Sequence, residues 1–385
     1  MKSIRNIFHI WYDELADMFK DKGILIFVIF VPLFYPLLYS WVYTNEVVRE
    51  VPAAVVDDSR TTQSREFIRM VDATPDVDVV AHCTTVAELL RRREAFGIIR
   101  IPESFTKDIW HGDQTVVGIY SDMSSMLYYK ALLLATTKVS LEMNADIKVE
   151  RHMHGTTDRQ DEIQHTPIEY DYVALYNPQS GFAAFLIPPV LMLILQQTLL
   201  LGIGMSAGRM RERFRGSLVP FHHDYKNPVY IVLGKAAAYF GIYIVMAVYA
   251  FTIVTHGFSL PQLGDLATLT AFVVPFLLAC IFLAMVLSSL VWRREDCILL
   301  FVCLSVPLLF ISGAAVPAFW KAVSCLFPST FGMNGYVRIQ SMGATLSDVA
   351  FELRGLWIQA GVYFLLACLI YRRQIKLIAN RYYHK

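Results

Sequence analysis

Six stretches of this chain are each long and apolar enough to cross a hydrocarbon layer, and that leaves few alternatives for the fold. They lie at Ile24–Thr44, Phe182–Ile203, Val229–Thr255, Leu266–Trp292, Cys297–Val316 and Gly355–Tyr371. A bilayer core takes about 20 helical residues to span. A backbone in lipid must also satisfy its own hydrogen bonds, which selects helices over open sheets. The expectation is an α-helical membrane protein with six transmembrane helices. Only 17% of the residues are charged, against about 25% in an average soluble domain. The first run has no small-x-small cleavage site behind it, only the bulky Tyr39-Ser-Trp-Val-Tyr43, so it is expected to be an uncleaved span.

Positive charge sets the orientation, because Lys and Arg near span ends stay on the cytoplasmic side. One set of flanks carries Lys2, Arg5, Lys20, Lys22, Arg209, Arg211, Arg213, Arg215 and Lys226, then Arg293, Arg294, Arg372, Arg373, Lys376, Arg381 and Lys385. The other set is poorer, with Lys321 and Arg338 in its last loop. Both termini are therefore expected inside, and the segment between the first two spans outside. Cys280, Cys297, Cys303 and Cys368 fall in the runs as small packing residues. A disulfide between Cys83 and Cys325 stays open, since nothing in the sequence positions the two together.

Ahead of the first span, Ile4, Ile7, Phe8, Trp11, Leu15, Met18 and Phe19 recur at three- and four-residue steps, with Asp13, Glu14 and Asp17 assigned to the other face. This predicts an N-terminal interfacial amphipathic helix over residues 1–23, lying on the leaflet or packed on the protein's own spans. The segment 45–180 alternates. Val51–Asp57, Val77–Ala81, Gly97–Ile101 and Thr115–Tyr120 are short β-branched runs, and Ser64–Ala73, Thr85–Glu94 and Glu103–Trp110 have helical spacing. An inserted extracytoplasmic α/β domain follows, with one long helix from Ser124 to about Arg151. Residues 181–385 make a five-helix transmembrane domain. Its segment 317–352 is expected as short amphipathic pieces at the outer interface, or as a re-entrant hairpin.

The runs hold no Asp, Glu or Arg, and Lys235 is their one Lys. Ion-coupled pumps need ionisable groups at membrane depth, so uphill transport would have to draw its energy from outside the membrane. Polar side chains that could line a substrate path are Gln196, Gln197, Ser288, Ser289 and Ser305. A P-loop is absent, because Gly234-Lys235 would need a glycine where Val229 stands. His152, His154 and His165 lack further ligands at tight spacing, and Asp57, Asp58, Ser59 and Asp122 read as turn or cap residues. No metal, cofactor, catalytic residue or nucleic-acid partner is expected. The remaining feature is the basic segment 209–228. It either flanks a span and meets anionic lipid headgroups, or offers a short helix whose apolar Leu218, Val219 and Phe221 plug into a partner's groove.

Arg211-Glu-Arg-Phe-Arg-Gly-Ser-Leu218, followed by Asn227-Pro228 and Leu233-Gly-Lys235, resembles the signature of type-2 ATP-binding-cassette (ABC) exporter permeases. Ala54-Val-Val-Asp-Asp-Ser59, Tyr176-Asn-Pro178 and Phe327-Pro-Ser-Thr330 with Tyr336 are similar to the branch with a large outer domain after the first span. The resemblance covers essentially the whole chain. One departure is Val219, where many members carry Glu soon after the Gly-Thr. What it implies is a bacterial plasma-membrane exporter subunit for an amphiphilic, drug- or lipid-like substrate. That subunit would pair with a second permease half, identical or paralogous, and sit on two copies of a separate ABC ATP-binding subunit, with membrane lipid and a periplasmic adaptor protein as further partners. The N-terminal helix becomes the elbow. The ATPase-coupling loop becomes Arg211, Glu212, Arg213, Arg215, Gly216, Ser217, Leu218, Pro228, Gly234 and Lys235. The alternative is a non-transporting membrane receptor or scaffold whose outer domain binds a ligand or an envelope protein.

Overall fold

The computed structural model describes residues 2–43, 49–82, 95–111, 113–121, 126–152, 182–214, 216–220, 227–260, 262–299 and 318–383. The chain divides into two compact units, Val47–Val173 and the union of Met1–Glu46 with Ala174–Lys385.

The smaller unit is built on a four-stranded sheet of order β2-β1-β3-β4, with β1 Val51–Asp57, β2 Val77–His82, β3 Gly97–Ile101 and β4 Gly118–Ser121. β1 pairs in parallel with both neighbours, and β4 runs antiparallel to β3. A central parallel strand is buried on both faces and so reads as a continuous apolar run, which Val51-Pro-Ala-Ala-Val-Val56 is. Val51, Ala53 and Val55 join Phe67, Phe105 and Leu132 in one core, while Ala54 and Val56 meet Ile98 on the other face. The helices of the first core are α3 Thr62–Asp72, α4 Phe105–His111 and α5 Met126–His152. Thr61 and Ser64 form a reciprocal capping box at the start of α3. Asp57 accepts from the Ser59 and Arg60 N–H groups and from the Ser64 hydroxyl, so it is the turn residue expected. The expected helix Thr85–Glu94 and Asp122 lie outside the described residues, as do His154 and His165.

The larger unit holds α1 Lys2–Lys20, α2 Lys22–Val42, α6 Phe182–Arg213, α7 Pro228–Gly257, α8 Leu266–Leu290, α9 Ala318–Ser324, α10 Pro328–Met342 and α11 Ala350–Tyr383. Five helices among the described residues are long and apolar enough to cross a membrane, namely α2, α6, α7, α8 and α11. The expected span Cys297–Val316 lies outside the described residues beyond Leu299. α6 is the most deeply buried of the five, followed by α8, whereas α2 and α11 each bury one stripe and leave leucines and aromatics exposed. α6 also runs ten residues beyond the expected Ile203, so the first arginines of the basic segment belong to its last turns.

Segment 317–352 supplies two helices, α9 and α10, and α10 packs within the larger unit. Its first turn meets Gln196, near the middle of α6. From there Phe276 packs over Gly332, Phe272 over Gly335, and Ile339 against Gly264 just before α8. It therefore lies antiparallel to the first half of α8. Gln359 and Tyr363 of α11 donate to the Cys325 and Leu326 carbonyls in the α9–α10 turn. Cys325 is a free thiol, and its suggested partner Cys83 lies outside the described residues.

Candidate functional site

α6 ends on Gly216. Its φ of 91° places it in the left-handed region, and its N–H reaches the Arg211 carbonyl at 2.7 Å. A glycine there closes a helix without a Cβ penalty. The chain then turns inward. Ser217 both donates to the Val219 carbonyl and accepts from the Val219 N–H, and Leu218 and Val219 are buried in the unit's own core. For Leu218 and Val219 this corrects the expectation of a surface that fills a partner's groove; burying them here removes their surface from water and lipid alike. Residues 216–220 form a turn with no helix, and Arg215 and Phe221 lie outside the described residues.

α7 opens with Pro228 at its first position, and the Asn227 side chain accepts from the Val229 N–H. Two residues of this helix receive α1. A Cβ on Gly234 would stand 2.8 Å from the Cβ of Ile10, so glycine is what lets the two helices approach this closely. One residue on, the Lys235 ammonium lies 2.8 Å from Glu14, with both side chains almost fully buried. The other carboxylate oxygen of Glu14 accepts from Ser206 of α6 and Tyr239 of α7, each at 3.0 Å. Burial works to raise the Glu14 carboxyl, but Lys235 and the hydrogen bonds outweigh it and hold the group below the ordinary glutamate value. A cavity of about 10 Å³ adjoins the pair, lined also by Leu218, Ser288 and Tyr371.

Glu14 was assigned by sequence to the solvent face of α1, and the structure corrects that. Ile10, Glu14 and Met18 form the buried stripe, and Ile4, Phe8, Tyr12 and Phe19 form the exposed one. The available signal was Lys235 itself, a cation inside an apolar run that needs a partner. Glu14 sits four residues from both Ile10 and Met18, which puts it on their face.

Around this node the basic end of the unit is tied by charge. Arg209 reaches Asp21 at 3.4 Å and the Asp17 carbonyl at 2.6 Å. Arg213 stands 3.5 Å from Asp17, and Arg294 bridges Asp21 at 2.9 Å and Glu212 at 3.1 Å. Arg211 is buried, donates to the Ser289 carbonyl at 2.7 Å and stacks on Trp292 at 4.8 Å. Of the ten residues expected to couple to an ATPase, Glu212 and Arg213 are exposed, while Arg211, Ser217, Leu218, Gly234 and Lys235 are packed within the chain.

The residues expected to line a substrate path are not gathered. Gln196 donates to the Ser329 hydroxyl at 3.1 Å and accepts from the Ser329 N–H at 2.6 Å, which caps the buried start of α10. Gln197 is also buried. Ser288 donates to the Met285 carbonyl and Ser289 serves Arg211, both at the basic end. Ser305 lies outside the described residues.

No curated protein matches the chain. Residues 22–369 match the family model described as "ABC-2 family transporter protein". That match spans the first membrane helix, the α/β unit, the basic end and the first part of α11, so the chain belongs to the ABC-2 transporter family and is a membrane transport permease of that type.

Proposed function

We propose that this permease is the membrane subunit of an ATP-driven ABC exporter moving an amphiphilic, drug- or lipid-like substrate across the bacterial plasma membrane. On this reading it pairs with a second permease half and rests on two ATP-binding subunits. Both termini and the basic end face the cytoplasm, and residues 45–180 stand outside, within reach of a periplasmic adaptor. The observation that carries it is the fate of Lys235. Among the described residues it is the one Lys, Arg, Asp or Glu of the spans away from their ends, and Glu14 already neutralises it. A buried pair this well bonded is not a site for a transported coupling ion, so energy has to enter through a partner. Arg213, Glu212 and Trp292, exposed at the basic end, are the proposed contact.

The test is efflux of a fluorescent lipid analogue and of an amphiphilic dye from vesicles holding the permease with an ABC ATP-binding subunit. ATP-dependent efflux supports the reading. Efflux that continues without any ATPase overturns it.

A further inference from the structure

We propose that Glu14 is a positioning residue for energy transfer, the pin through which α1 and the basic end of the membrane unit move as one body. This rests on the reading of the chain as an ATP-driven permease. α1 has two competing attachments. Its exposed Ile4, Phe8, Tyr12 and Phe19 suit the lipid interface, and its opposite stripe is fitted to the protein by the Ile10–Gly234 contact and by Glu14. Apolar side chains at both positions 14 and 235 would bury as well as the ion pair does or better, because charge burial is offset only by good geometry. What the pair adds is register. Lys235 and Tyr239 stand one turn apart on α7, and Ser206 reaches the same carboxylate from α6. Sliding α1 by a residue, or parting α6 from α7, breaks at least one of these bonds.

The turn after α6 is coupled to the same point. Leu218 lines the small cavity at Glu14 along with Lys235 and Tyr371, which puts the turn beside the carboxylate. Farther out, Asp17 and Asp21 of the α1–α2 segment hold Arg209, Arg213 and Arg294. Those pairs are more exposed and individually weak. Glu14 is the buried member of the set, and the one whose loss leaves an uncompensated charge.

The test uses the full permease in phosphatidylethanolamine–phosphatidylglycerol vesicles, with Lys235→Met, Glu14→Gln/Lys235→Met and Tyr239→Phe. Amide hydrogen exchange in residues 2–20 reports attachment of α1. Lys235→Met strands a buried carboxylate, so exchange there should rise about tenfold or more. The double variant removes both charges yet keeps an acceptor for Ser206 and Tyr239, and should return to within about twofold of wild type. Tyr239→Phe removes one hydrogen bond and no charge, and should give about a threefold rise. Exchange unchanged in Lys235→Met and in Tyr239→Phe overturns the pin, and so does a double variant as disturbed as the single. The second readout is ATP hydrolysis by the bound ATP-binding subunit. Its response to the permease should fall in Lys235→Met and recover in the double variant; a response untouched while α1 loosens overturns the role in energy transfer. If wild-type permease has no effect on hydrolysis, the ATP-driven reading fails, and the exchange data still judge the pin.

Discussion

Replacing Gln196 with methionine keeps the volume of the side chain and removes its polar end, which isolates what the mid-helix amide does. The Ser329 N–H sits at the second position of α10 and is fully buried, with the Gln196 carbonyl 2.6 Å away as its acceptor. Water cannot replace that acceptor, so the N–H would be left unsatisfied at a cost of about 1–3 kcal/mol. The Ser329 hydroxyl also loses the donor it accepts from, but its own O–H stays free to donate, so its share is smaller. Methionine is apolar and adaptable and adds little strain. The expected loss is therefore about 2 kcal/mol. At ~2–4 °C per kcal/mol for a domain of this size class, the thermal midpoint in micelles should fall by about 4–8 °C. Ser329→Ala leaves the N–H bond intact and should cost about 1 kcal/mol. The double variant should cost less than the sum of the two, since both act on one pair of groups. A Gln196→Met midpoint within about 1 °C of wild type, or strict additivity with Ser329→Ala, would refute the claim that this amide caps α10.

Three further outcomes are expected. Leu218→Ala should destabilise the unit by about 2–5 kcal/mol as a buried truncation. Arg213→Ala, whose 3.5 Å pair with Asp17 is exposed, should cost about 0–1 kcal/mol; denaturant unfolding compares the two, and a costly Arg213→Ala beside a silent Leu218→Ala would reverse the assignment of inside and outside. Gly216→Ala forces an L-residue to a φ of 91° and should cost about 1–2 kcal/mol in the same assay, with Gly216→Asn milder. Glu14 has a lowered native pKa, so its contribution is complete above the ordinary glutamate value of 4.5 and is lost as pH falls through the native value. Exchange in α1, corrected for the intrinsic pH dependence, should be flat from neutral pH to about 5 and rise below that; a rise centred near neutrality would contradict it.

Much of this architecture was legible because its signals are periodic. β1, β2 and β3 fall where β-branched runs are bounded by Pro, Gly or Asp. β4 starts at Gly118, three residues later than its apolar run at Thr115, because its ladder partner stops: Arg100 pairs with Gly118, and Pro102 shortly beyond cannot donate. α6 was cut short at Ile203 because hydropathy fell there. Hydropathy reports lipid, not helix, and arginine is a good helix former, so the helix continues to Arg213. The basic end is legible in sequence as a cluster of charge, and the packing of its residues is not. Leu218 and Val219 look like a docking face in one dimension, and whether they turn inward depends on the φ of Gly216. Glu14 was hidden among Asp13 and Asp17, which share its charge but not its face.

The membrane unit needs something besides apolar packing to fix its arrangement, since lipid tails compete for the same surfaces and confer no register. α6 supplies this at two points. Gln196 fixes the start of α10, and ten residues later Ser206 joins Tyr239 and Lys235 in fixing α1. Ten residues of helix are about 15 Å, nearly three turns. Ser206 therefore lies about 80° around the axis from Gln196, and the two polar contacts can serve different neighbours. Between them the helix is buried, and from Leu199 to Met205 it is apolar, so that stretch can be gripped but not registered. Two polar contacts on one stiff helix make the placement of α10 and of α1 interdependent in a way that leucine packing alone would not. A helix this enclosed cannot shift along its axis without straining both at once.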